Sequence, residues 1–135
     1  MTRPAEAASA ALTWNGRILL VRRAREPARG MFALPGGRLE PGETPEAAVR
    51  REVLEETGLR PLGLSLLATI EPADAGGEFR IHVFAGHMPG GEPVPGDDAD
   101  HAAWYRLDEL AHLPVTRSSL EMARRVLAAA GEGAR

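Results

Sequence analysis

The chain has 135 residues, a formal net charge of −3 and 44% hydrophobic residues, which fits one domain with its own core and needs no staples. It contains neither cysteine nor lysine, which excludes a disulfide framework, a thiolate metal site, a cysteine nucleophile, a Walker-type phosphate loop and a lysine Schiff base. No apolar run approaches the roughly 18–20 residues of a membrane span, the first ten residues lack a secretion signal's apolar stretch, and a mild acidic excess argues against binding nucleic-acid backbone; the expectation is a cytoplasmic protein with neither nucleic acid nor membrane as partner.

Residues 7–14 read as a first strand. Asn15-Gly16 is a strong hairpin turn, because both positions tolerate positive φ, and residues 17–22 form the return strand. A charged loop over 23–30 leads to a short strand at 31–34, ended by Pro35-Gly36-Gly37. Thr44-Pro45 opens a helix, since threonine caps the free N–H groups and proline at the first position loses nothing. That helix stops at Gly58, a natural left-handed end residue. Residues 62–70 read as a buried strand, 73–77 as a turn and 79–85 as a strand with Phe79, Ile81 and Val83 on one face. A long polar loop over 88–100 precedes a strand at 102–105. Ser118 and Glu121 fit a capping box for a final helix whose stripe is Leu120, Ala123, Leu127 and Ala130. One domain over residues 1–135 follows, with frayed tails at 1–6 and 131–135. Strand pairs separated by helices predict an α/β protein with a mixed sheet and helices on both faces.

Chemistry concentrates in residues 37–59, GRLEPGETPEAAVRREVLEETGL. On a helix, Glu52, Glu55 and Glu56 fall within an arc of about 100°, while Val49 and Val53 point elsewhere. A merely solvated acidic face fits poorly. Glu52 and Glu56 are like charges four apart, and acids near a helix C-terminus oppose its dipole. Arg51 offsets this only in part. Three convergent carboxylates suit a hard divalent cation such as Mg²⁺ or Mn²⁺. The bare backbone of Gly36-Gly37 offers carbonyls to that ion and N–H groups to phosphate. The segment holds six acids and three arginines, a net of −3. It therefore accounts for the whole charge of the chain.

This segment resembles the signature of the Nudix hydrolases. Gly37, Glu43, Arg51, Glu52, Val53, Glu55, Glu56, Gly58 and Leu59 fill every defined position. The resemblance implies an α/β/α sandwich with a mixed sheet between helices. It implies metal-dependent hydrolysis of a pyrophosphate in a nucleoside diphosphate linked to another group. Glu52, Glu55 and Glu56 would bind the metal, with Gly37 offering its carbonyl. Glu52 is a candidate base, Arg51 orients the carboxylates, and Glu43 is its ionic partner. An additional catalytic carboxylate is expected on the late loop, with Asp98 as first choice and Asp97 and Asp100 as alternatives. Arg23, Gly36, Gly37 and Arg80 are candidate substrate contacts, His82 lies beside Arg80, and Phe32 and Trp104 read as core. His101 and His112 show no ligand spacing and read as surface residues. The flanks are similar to ADP-ribose pyrophosphatase-like and MutT-like proteins. ADP-ribose or a related nucleotide sugar is therefore the first expected substrate, a nucleoside triphosphate the second. A non-catalytic nucleotide-binding regulator is the alternative from another class. Similar proteins often form homodimers, but no interface is legible in the residues.

Overall fold

The computed structural model describes residues 5–26, 28–73 and 79–133, the last four by backbone alone. In chain order the elements are β1 (Ala5–Trp14), β2 (Arg17–Arg23), β3 (Phe32–Ala33), β4 (Gly36–Arg38), α1 (Pro45–Thr57), β5 (Ser65–Ile70), β6 (Phe79–His87), β7 (Ala99–Arg106), α2 (Leu107–Leu110) and α3 (Arg117–Gly133). Asn15 and Gly16 take φ of 48° and 73°, which turns β1 tightly into β2 as the dipeptide requires.

The sheet is mixed. β1 runs parallel to the whole of β6, from Ala5 opposite Phe79 to Thr13 opposite His87. Its other edge is shared: β2 pairs antiparallel at Thr13 and Trp14, and β4 pairs antiparallel at Ala7–Ser9. β2 then diverges to take β3 on one side and β7 on the other. β5 closes the far edge against β6.

A strand between two helical layers must be apolar on both faces, and β1 is. Ala8, Ala10 and Leu12 join Leu19, Val49, Val53 and Phe84 in one buried cluster, under α1. Ala11 joins Ile18, Leu20, Phe32, Val83, Ala123 and Leu127 in the other, under α3. The result is an α/β/α sandwich with the mixed sheet between the helices.

Several details differ from the sequence reading. β4 is a strand where Pro35-Gly36-Gly37 read only as a stop. Two of its three residues are glycine and carry no side-chain pattern. β1 begins at Ala5, so the tail expected over 1–6 loses Ala5 and Glu6 to the sheet, and α3 runs to Gly133, into the tail expected over 131–135. The expected capping box at Ser118 is displaced. The Leu120 N–H donates to the Thr116 carbonyl, which starts the helix before Ser118. Most of the expected turn over 73–77 lies outside the described residues.

Candidate active site

Helix α1 carries most of the site, and both its ends are specified locally. The Thr44 side chain accepts from the Ala47 N–H, Pro45 stands at the first position, and Gly58 ends the helix at φ 72°. These caps set the rotation of the helix, which turns Glu52 and Glu56 toward the sheet and leaves Glu55 exposed.

Glu52 and Glu56 are buried, with 8% and 6% of their surface exposed. The Gly36 N–H donates to Glu56 Oε1 at 3.0 Å. Burial pushes the Glu56 carboxyl up to about 8, against the pull of that N–H and of the Arg23 charge. Burial also raises the Glu52 carboxyl, opposed chiefly by Arg51. Gly37 lies directly beneath: a Cβ there would sit 2.6 Å from the Glu52 carboxyl carbon. Only glycine lets the carboxylate approach the β4 backbone.

Arg51 holds the cluster together. Its Nε and Nη2 donate to Glu43 at 2.8 and 2.9 Å, its Nη1 to Glu52 at 2.7 Å and Glu55 at 3.4 Å, and Nη2 also to the Arg38 carbonyl at 3.1 Å. This forked, charge-assisted geometry is one that lysine cannot reproduce. It holds Glu43 down to about 2.

The late loop supplies a further carboxylate, Asp97, one of the three acids expected there. Oxygens of Glu52, Glu55 and Asp97 lie within 4.8 Å of one another. Asp98 turns away to Arg25, at 2.9 Å, and Asp100 to Arg22, at 2.7 Å. Asp97 takes φ 54°, and this single left-handed residue decides which of the adjacent acids faces the helix. Asp98, the first choice, pairs with Arg25 yet stays near enough for its charge to raise Glu56.

Of the candidate substrate contacts, Gly36 and Gly37 adjoin Glu56 and Glu52, and Arg23 lies near enough for its charge to favour ionised Glu56. Arg80 sits across β1 from β4, and its guanidinium meets Glu6 at 3.6 Å and Glu71 at 3.4 Å. Arg80 thus joins an ion-pair network with Glu6 and Glu71. His82 belongs to it, with Nε2 at 2.7 Å from Glu6 and Nδ1 at 3.2 Å from Thr69. Phe32 is buried core. Trp104 is half-buried against Trp14 and donates to the Gly91 carbonyl at 2.8 Å. His101 is not a plain surface residue: it packs edge-on against Phe32 and lies 2.8 Å from the Tyr105 hydroxyl.

A group of hard oxygen donors, two of them buried, held beside a bare glycine backbone fits a divalent cation. Residues 3–126 match the NUDIX domain model. The chain belongs to the NUDIX family. It is 43% identical over 112 residues to the ADP-ribose pyrophosphatase of Methanocaldococcus jannaschii, an alignment covering 82% of this chain and 66% of that protein. Among the first curated relatives, matches span from a quarter to about two-thirds of their length. The crystal structure of a MutT NUDIX hydrolase from Burkholderia pseudomallei superposes with a TM-score of 0.78 at 32% identity, covering 94% of this chain and 98% of that one. The NUDIX domain of Shewanella oneidensis NrtR, solved with ADP-ribose, superposes at 0.83 with 21% identity, covering 93% and 88% of the two chains. Among the described residues, no helix is long and apolar enough to cross a membrane.

Proposed function

We propose that this NUDIX chain is a pyrophosphohydrolase that cleaves the pyrophosphate of a nucleoside diphosphate joined to a sugar, ADP-ribose or a close relative, to a nucleoside monophosphate and a sugar phosphate. The observation that carries the reading is the convergence of Glu52, Glu55 and Asp97 beside buried Glu56 and the Gly36-Gly37 backbone. The names of the archaeal relative and of the ligand in the NrtR domain support the substrate class.

Glu52, Glu55 and Asp97 would hold Mg²⁺ or Mn²⁺, joined by Glu56 once ionised and by the Gly37 carbonyl. Such an ion, when bound, neutralises charge on the phosphoryl oxygens and lowers the pKa of bound water. Glu52 is the proton acceptor for the attacking water. Arg51 fixes its orientation and Glu43 fixes Arg51, so that the acceptor is prepositioned. Arg23 faces the phosphates from the end of β2. The complete carboxylate set favours an enzyme over a nucleotide-binding regulator. The reading places the protein in the cytoplasm, acting on a small molecule.

A product-identified hydrolysis screen with Mg²⁺ or Mn²⁺ tests this. ADP-ribose should give AMP and ribose 5-phosphate in preference to cleavage of nucleoside triphosphates, NADH or dinucleoside polyphosphates. Preferential release of pyrophosphate from a nucleoside triphosphate would reassign the substrate to the MutT-like class. Nucleotide binding without turnover would make the chain a regulator.

A further inference from the structure

The segment joining β6 to β7 is fastened on both sides. On one side it runs along the C-terminal turn of α1. The Val94 N–H donates to the Thr57 carbonyl at 2.8 Å, and the Gly96 N–H donates to the Glu56 carbonyl at 3.3 Å. On the other side it meets the end of β2. The Ala24 N–H donates to the Asp98 carbonyl at 2.8 Å, and Arg25 Nε lies 2.9 Å from Asp98 Oδ1. Between these fastenings stands Asp97 at φ 54°, a region that non-glycine residues enter when their surroundings over-determine them.

Gly96 explains how the segment comes so close to the helix. A Cβ there would lie 2.7 Å from the Glu55 carbonyl oxygen. That oxygen belongs to helix backbone and cannot step aside as a flexible side chain would.

We propose that Gly96 is a positioning residue for Asp97: its missing side chain seats the segment on the end of α1, and so brings the Asp97 carboxylate to Glu52 and Glu55. The inference rests on the metal-binding reading above. The three carboxylates have oxygens within 4.8 Å of one another, and two oxygens on one Mg²⁺ stand at most about 4.2 Å apart, so the group has no room to spread. A side chain at Gly96 lifts the segment and draws the Asp97 oxygen out of reach. The fastening at Asp98 prevents Asp97 from turning to compensate.

The test is Mn²⁺ affinity of the full chain, measured by electron paramagnetic resonance for wild type, Gly96→Ala, Asp97→Asn, the double variant, Glu52→Gln and Gly63→Ala. A Cβ at Gly63 meets nothing within 4 Å, so this control should bind as wild type does. Gly96→Ala should weaken Mn²⁺ about tenfold, and the double variant should bind no more weakly than Asp97→Asn alone. Wild-type affinity in Gly96→Ala, or a full further loss in the double variant, overturns the proposal. If Glu52→Gln also binds as wild type, the metal reading itself fails. If only Glu52→Gln weakens binding, the positioning role alone fails.

Should Gly96→Ala not fold, Arg25→Gln decides. Removing a cation beside acids tightens Mn²⁺ binding by charge alone. A loss of about threefold, absent when Asp97 is already asparagine, supports positioning, whereas no change or tighter binding overturns it.

Discussion

The Glu56 carboxylate is bound to the Gly36 N–H at 3.0 Å although twenty residues separate them, which fixes α1 over β4 through a buried acid. Burial holds that acid at about 8, well above its ordinary value near 4.3. The fold therefore binds a proton there that the unfolded chain releases, and stability falls as pH rises from about 4.5 to about 8. The full effect is on the order of 5 kcal/mol. In a chelator, the melting temperature should decline across this window, and Glu56→Gln should flatten the decline. Saturating Mg²⁺ should flatten it too, because a ligand of the ionised site stabilises the native state. Calorimetry at pH 5 to 8, with and without Mg²⁺, reads all three.

Arg51 offsets Glu43, Glu52 and Glu55 together. Arg51→Ala removes the shared cation and leaves partly buried acids uncompensated. The metal-free protein should lose about 2–3 kcal/mol in urea unfolding. Arg51→Lys should recover only part of this, because the forked contact to Glu43 needs a guanidinium.

Thr44→Ala separates helix formation from chemistry. The cap accepts one N–H, from Ala47 at 3.2 Å, and stands at the opposite end of α1 from Glu55 and Glu56. The loss should be about 1 kcal/mol of stability, with kcat on the cleaved nucleotide unchanged within twofold.

Gly37→Ala does the reverse. Its Cβ would meet the Glu52 carboxyl at 2.6–2.8 Å, so Glu52 must swing away from β4. Hydrolysis should fall by on the order of a hundredfold, as for a displaced catalytic group. The secondary structure, read by circular dichroism, should stay.

Where the chain signals structure through side chains, the sequence was readable. α1 runs from Pro45 to Thr57 because Thr44, Pro45 and Gly58 mark both ends, and the three glutamates follow from its period. β4 was illegible because its pairing is a property of backbone, with two glycines and no alternation. α2 is a single turn, too short for any period to show. Asp97 and Asp98 are chemically alike and adjacent. What separates them is one residue's φ and the proximity of Arg25 to Asp98, both set by tertiary contacts. Arg80 and His82 alternate correctly along β6, yet their partner Glu6 comes from a strand 76 residues away in the case of His82.

The α1 carboxylates are proposed to carry metal-dependent cleavage of a nucleotide pyrophosphate. Hydrolysis of ADP-ribose with Mg²⁺, with products identified, by wild type and Glu52→Gln tests it most directly. Wild type should give AMP and ribose 5-phosphate, and Glu52→Gln should lose at least about a hundredfold in kcat. Activity in Glu52→Gln within about tenfold of wild type would contradict it.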